Sequence, residues 1–233
     1  SVVAIMLTGL REVTKEQAAQ NEDVFNKRAI LLAVEDHLGG DKKVSDLSDD
    51  EVKVLFEKQV DQKVLDAAGE EIDGVQADKV DMAKEKKKPL EERQLPLFIY
   101  SSDEGEKFYI VSVRGNGLWD EIWGNIALQS DLNTVTGAAF DHKGETPGLG
   151  AEIKDNPSFR KQFKGKQIYD EGEYVSVTVR KGGAKDKDHE VDGISGATVT
   201  ADGVTDMLYD GIKNYEPYFN KIREANQTSS LLK

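Results

Sequence analysis

Leu97-Phe98-Ile99-Tyr100, then Ser101-Ser102-Asp103-Glu104-Gly105-Glu106, then Phe108-Tyr109-Ile110-Val111-Ser112-Val113: two apolar runs flank a short polar connection. Aromatic and β-branched residues fill both arms while Ser, Asp and Gly fill the turn, so the stretch reads as a β-hairpin. A second hairpin pairs Ile122–Gln129 with Thr134–Asp141 across Ser130-Asp131-Leu132-Asn133, a set of turn formers. Farther on, Tyr174 to Arg180 alternates Val175, Val177 and Val179 with Ser176, Thr178 and Arg180, the pattern of a half-buried strand.

On either side of these strands the pattern is helical. From Glu12 to about Leu38, Val24, Phe25, Ala29, Leu31 and Leu32 recur at threes, fours and sevens, and Gly39-Gly40 stops the run. A second helix starts near Asp49, with Val52, Leu55, Phe56 and Val60 on one face. Residues 61 to 94 are charged and weakly periodic, so an irregular or helical boundary region is expected there. A helix follows Gly150 through Phe163, with Pro157 able to split it. Another begins near Ser195 and runs past Asp210, burying Val204, Met207, Leu208 and Ile212. Strands and helices mix without a βαβ rhythm, which predicts an α+β fold: an antiparallel sheet built from hairpins, with packed helices and an N-terminal helical part.

A chain of 233 residues can bury a sizeable core unaided. Acidic residues outnumber basic ones 44 to 31, a net charge of -13, which argues against nucleic acid as a partner. The run Lys84, Lys86, Lys87, Lys88 lies among Asp81, Glu85, Glu91 and Glu92 and reads as a solvated face. With no cysteine, thiolate metal sites, Cys nucleophiles and iron–sulfur clusters are excluded, so redox chemistry needs a borrowed cofactor. A membrane span takes about 20 apolar residues. Val2 to Leu10 is shorter, and two readings fit it: the end of a removed anchor, or an ordinary buried segment.

The stretch that carries chemistry is Asp192-Gly193-Ile194-Ser195-Gly196-Ala197-Thr198-Val199-Thr200. It places hydroxyls at the start of a helix, where free N–H groups and the helix dipole favour a phosphate. Taken locally, Ser195 or Thr198 is equally well an N-cap.

Asp192 to Thr198 resembles the flavinylation motif of the FMN-binding domain family, whose last Thr holds FMN through a phosphoester. Gly115-Asn116-Gly117-Leu118-Trp119, Gly144-Glu145-Thr146-Pro147-Gly148-Leu149-Gly150 and Lys181-Gly182-Gly183-Ala184 extend the likeness. In identity, order and spacing they resemble the C subunits of the Na+-translocating NADH:quinone oxidoreductases. The G subunits of the related Rnf complexes share the motif and the linkage; the Asn-Gly-Leu-Trp and Lys-Gly-Gly-Ala segments favour the sodium pump. The likeness is close over residues 96–220 and loose before them. It divides the chain into 1–10 (possible anchor end), 11–95 (helical and irregular), 96–220 (FMN-binding) and 221–233 (tail).

The resemblance implies FMN esterified to Thr198 by a flavin transferase that uses FAD and Mg2+. N–H groups of Ser195, Gly196, Ala197 and Thr200 would hold the phosphate, with Lys181 or Lys185 assisting. Trp119 would lie against the isoalloxazine, or else be a core aromatic. Glu145, Thr146, Gly148 and Leu149 would form the opposite wall, or else a plain Pro-Gly turn. Asp192 is a capping carboxylate or a residue the transferase requires. His142 and His189 read as surface or turn residues, no metal site is expected, and no catalytic side chain is assigned.

The family implies a one-electron relay among the other subunits of a pump that carries electrons from NADH to ubiquinone and drives Na+ across the bacterial inner membrane. The domain would lie on the periplasmic side, behind a single amino-terminal membrane helix of which only the end would remain here. No Gly-x-Gly-x-x-Gly follows a strand, so no NADH site is expected. Two other classes stay open at this point: a flavin-free periplasmic scaffold protein, and a hydrolase using Ser195 or Thr198 as nucleophile.

Overall fold

The computed structural model describes the backbone of residues 2–40 and 42–231, and the side chains of all of these except 2–14, 16, 227 and 229–231. Its centre is a five-stranded antiparallel meander, β1 (Val60–Leu65), β2 (Leu95–Ser101), β3 (Lys107–Asn116), β4 (Glu121–Leu128) and β5 (Val135–His142), in sequence order. The first hairpin pairs Phe98 with Ile110 and Tyr100 with Phe108; the second pairs Ile126 with Ala138. Both form as the sequence predicts.

β2 is buried on both faces, which explains its unbroken apolar run. Phe98, Tyr100, Phe108, Ile110, Ala127 and Ala139 face a layer containing α1 (Val2–Leu32) and α2 (Asp49–Gln59). Leu97, Ile99, Val111, Val113, Ile122 and Ile126 face the opposite way, toward α6 (Thr198–Lys213) and α7 (Glu216–Leu231). The fold is α+β, with helices covering both faces of one antiparallel sheet.

Four elements differ from the sequence reading. α1 begins at Val2 and ends at Leu32 rather than Leu38. The Ala33 and Val34 N–H groups bond three residues back, to Ile30 O (3.1 Å) and Leu31 O (3.0 Å), tightening the turn as the Ala33 carbonyl packs onto Gly137 of β5. The following 3-10 turn, Glu35–His37, stacks the His37 ring on Phe108 at 4.0 Å, and Gly39 and Gly40, both at positive φ, then redirect the chain. The anchor suggested for Val2–Leu10 concerns side chains outside the described ones. No helix among the described residues is long and apolar enough to cross a membrane.

The second difference is β1, in a region expected to be irregular or helical. Val60 leaves α2 and enters the sheet, and the edge strand carries Asp61, Gln62 and Lys63, which hide its alternation. Third, Tyr174–Arg180 is not one strand. It forms β7 (Glu173–Tyr174, paired with β6, Tyr169–Asp170) and β8 (Thr178–Arg180, parallel to β9, Glu190–Asp192). Between them the Val175 and Ser176 N–H groups both turn to Ile168 O, and Ser176 takes φ +63° and is buried. Two successive donors on one acceptor break the alternation that a strand needs. Fourth, α7 runs through the boundary drawn at residue 220.

The Gly150–Phe163 helix divides at Pro157 as foreseen, into α4 (Glu152–Asp155) and α5 (Pro157–Lys161), with Asn156 capping Ser158 N–H at 3.0 Å. In the lysine run, Lys84 of α3 (Met82–Glu85) pairs with Asp81 and Lys88 with Glu85, while Lys86 reaches Asn116 Oδ1 at 2.7 Å.

Candidate functional site

Three stretches far apart in the chain meet at one end of the sheet: the β3–β4 turn (117–120), the loop after β5 (144–150) and the start of α6. The helix comes so close because side chains are missing along its contact with β3. Gly203 rests on the Asn116 carbonyl, which any Cβ would overlap. A Cβ on Gly115 would come within 2.6 Å of Met207 Cβ, and one on Gly211 within 2.6 Å of Val113. Positions 203, 207 and 211 form one stripe of the helix. Laid flat on β3, it delivers the N-terminus of α6 to the turn.

A buried carboxylate then joins the three stretches. Glu145, 5% exposed, accepts the Trp119 backbone N–H on Oε1 (3.0 Å) and the Thr200 hydroxyl on Oε2 (2.6 Å). Its own N–H donates to His142 Nδ1 at 3.2 Å. The carboxylate occupies the space beside Gly117 and Gly150, where a Cβ at either position would overlap it. A carboxylate this deep is tolerated only when donors reach it, and two do.

Above that linkage lies an exposed apolar surface. Leu118, Trp119, Leu149 and Val199 make up four of the eight large exposed hydrophobic side chains among the described residues. Trp119 is 68% exposed and donates its indole N–H to Thr146 Oγ1 at 3.1 Å. Leu149 lies over Gly196, where a Cβ would come within 2.8 Å of its Cδ2. Apolar side chains gathered in the open mark a binding surface.

Thr198 stands at the edge of this surface. Gly196, at φ +77°, turns the chain into α6, whose N-cap is Ala197 with no side-chain cap. The cap reading of Ser195 and Thr198 is therefore wrong. Thr198 is the first helical residue, half-buried, and its hydroxyl makes no hydrogen bond with the described residues. The first N–H of α6 to find a backbone acceptor is that of Ala201, on Ala197 O at 2.9 Å. The N–H groups of Thr198, Val199 and Thr200 precede it, at the positive end of the helix.

The remaining candidates fall around this centre. Ser195 and Gly196 are exposed in the turn before α6, and Ala197 is buried. Trp119 is not a core aromatic, since it lies on the surface. Glu145 and Thr200 sit beneath that surface, and Thr146, Gly148 and Leu149 line it from the other loop. Gly148, at φ +73°, keeps the turn there open. Asp192 accepts Ala184 N–H at 2.7 Å, and Gly193 N–H donates to Arg180 O at 2.9 Å, so the Lys181–Ala184 loop is fastened to the start of the motif. Lys181 is exposed. His189 Nδ1 bonds Gln167 O at 2.9 Å, and neither His142 nor His189 is bonded to Ser195 or Thr198 among the described residues, so the structure brings no histidine to the hydroxyls that the hydrolase reading needs one for.

Known proteins match this arrangement. The FMN-binding domain family matches residues 117–213, from the β3–β4 turn to the end of α6. The C subunit of the Na(+)-translocating NADH-quinone reductase of Vibrio vulnificus is 32% identical over 96% of this chain and 90% of its own length. The chain belongs to the C-subunit family of these reductases. The corresponding C subunit of Neisseria meningitidis serogroup A is 30% identical over 96% of this chain and 89% of its own. The crystal structure of the C subunit from Parabacteroides distasonis superposes with a TM-score of 0.76 at 35% identity, covering 88% of this chain and 96% of that one. Shewanella oneidensis NqrC gives 0.73 at 26%, covering 88% and 99%.

Sequence reasoning missed several contributors. Leu118 and Val199 are apolar residues beside a turn Gly and off the buried face of α6, a visible signal not used. The packing roles of Gly117, Gly150 and Gly203 have no local signature, because they depend on what the fold sets against them.

Proposed function

We propose that this chain is the flavin-carrying relay of a Na+-translocating NADH:quinone reductase, with FMN joined to Thr198 Oγ1 by a phosphoester. One observation carries the reading: Thr198 presents a hydroxyl that no cap consumes, at a helix N-terminus, beside an exposed apolar surface of Trp119, Leu118, Leu149 and Val199. Those residues fit the group. The first N–H groups of α6 face a phosphate, and the aromatic and aliphatic faces accept a flat tricyclic ring.

A separate flavin transferase, with Mg2+, forms the bond from Thr198 Oγ1 to the phosphorus of the FMN half of FAD. The pyrophosphate bond breaks, and AMP leaves with the hydroxyl proton. FMN held there would supply one-electron redox chemistry. The chain's own groups orient it. Ser195 to Thr200 would hold the phosphate, Lys181 lies at the end of a loop tied to Asp192, Trp119 would cover one face of the ring, and Thr146, Gly148 and Leu149 would border the other. The FMN-binding region runs from about residue 96 into α7. The domain lies on the periplasmic side of the inner membrane, tied there by an amino-terminal anchor and in contact with the other proteins of the complex.

The test uses the assembled complex. With Thr198→Ala, NADH-driven quinone reduction falls to background while NADH oxidation by an artificial acceptor that takes electrons earlier in the complex persists. Unchanged quinone reduction would remove this chain from the electron route.

A further inference from the structure

Glu145 carries more than a place on the rim of the site. Its two carboxylate oxygens each accept one bond, from opposite sides: Trp119 N–H belongs to the β3–β4 turn, and Thr200 Oγ1 to the first turn of α6. Its backbone is held by His142 at the end of β5. The space the carboxylate fills is kept clear by two glycines on two further pieces of chain, Gly117 and Gly150. Neither has the positive φ that would explain a glycine by backbone alone. A side chain at either position would collide first with the carboxylate.

We propose that Glu145 is the positioning residue of the flavin site, fixing the distance between the Trp119 face and the Thr198 hydroxyl by bridging the turn and the helix. The inference rests on the flavin reading above. Thr198 and Thr200 share the first turn of α6, so a shift of the Thr200 anchor moves the attachment point; Trp119 is displaced when its N–H loses the carboxylate. The working property is hydrogen bonding in a fixed geometry. Gln at 145 keeps an acceptor for Trp119 N–H, and its amide donates to the Thr200 hydroxyl turned around. Ala removes both partners and leaves two donors over a void.

The experiment takes the full chain, co-expressed with a flavin transferase, as wild type, Glu145→Gln, Glu145→Ala and Thr200→Val. Visible circular dichroism is measured per attached flavin, with the attached amount counted by intact mass. Glu145→Gln keeps the wild-type band, Glu145→Ala loses most of it, and Thr200→Val, which preserves side-chain shape and folding, loses part. Wild-type bands in both Glu145→Ala and Thr200→Val would overturn the proposal, as would a Glu145→Gln band as weak as that of Glu145→Ala, which would make charge the working property.

A flavin-independent arm separates this failure from failure of the carrier reading. Exchange of the Trp119 amide, followed by NMR on flavin-free protein, is slow in wild type and Glu145→Gln and fast in Glu145→Ala. Slow exchange in Glu145→Ala contradicts the positioning role even if the wild type takes up no flavin.

Discussion

At Thr198 the helix starts on Ala197, a residue with no side-chain acceptor, where Ser, Thr, Asp or Asn would ordinarily stand. The choice costs α6 a cap worth about 1 kcal/mol, and it leaves the next hydroxyl uncommitted. The motif was legible because its residue types are unusual together, whereas the sequence left Trp119 open between the flavin face and the core, and the fold alone exposes it. The linkage through Glu145 was not, because nothing within six residues of Glu145 names Trp119 or Thr200 as its partners. That linkage makes a measurable prediction. Gly117→Ala costs about 1–3 kcal/mol of unfolding free energy through overpacking, and in a Glu145→Ala background the cost shrinks, since the new methyl enters vacated space. Additive costs in a denaturant double-mutant cycle would contradict the packing described.

A second residue-scale consequence concerns acid. The Arg180 guanidinium beside Glu190, helped by the Lys185 and Asp186 N–H groups at 2.7 and 3.2 Å, holds the Glu190 carboxyl down to about 2. A depressed carboxyl contributes stability that is fully present above its unfolded value of 4.5 and is lost as the pH falls toward 2. Glu190→Gln therefore lowers Tm at pH 7 and flattens the fall in Tm between pH 5 and pH 2. An equal slope in both proteins would show that this ion pair is not a source of the acid sensitivity.

Among elements, α6 is the one on which the site depends, and its contact with β3 is set by what is absent. Gly203→Ala should gain about 1 kcal/mol of helix propensity, but the new Cβ overlaps the Asn116 carbonyl, a backbone atom that cannot rotate away. The overlap costs more than propensity returns, so the variant is destabilised by about 1–2 kcal/mol net, read as a lower denaturant midpoint. A raised midpoint would mean that α6 does not lie against β3 as closely as described. The elements that were legible in the sequence share one property: their periodicity is set by burial on a known face. The two hairpins, α2 and the Val204–Ile212 face of α6 all have it. β1 lacked it because an edge strand exposes part of its length, and Tyr174–Arg180 imitated it because Ser176 is buried by a local kink rather than turned to solvent.

Across the whole molecule, one sheet is shared by two cores. The helical part before residue 95 supplies β1 and covers the Phe98–Tyr100 face, so it belongs to the same folded body as the region matched by the FMN-binding family. The site proposed for the flavin sits at one end of the other layer, built by α6 and two loops, and the residues matched by the FMN-binding family, 117–213, enclose all three. Composition is consistent with this reading in one respect: a chain without cysteine cannot carry single electrons through thiolate or iron–sulfur chemistry, and the flavin proposed here would supply that capacity. The central claim is that the flavin is attached covalently and at one residue. Its most direct test is the intact mass of the denatured chain after co-expression with a flavin transferase, for wild type and Thr198→Ala side by side. The account predicts a gain of one FMN less one water in the wild type and none in the variant; the same gain in both, or no gain in either, would contradict it.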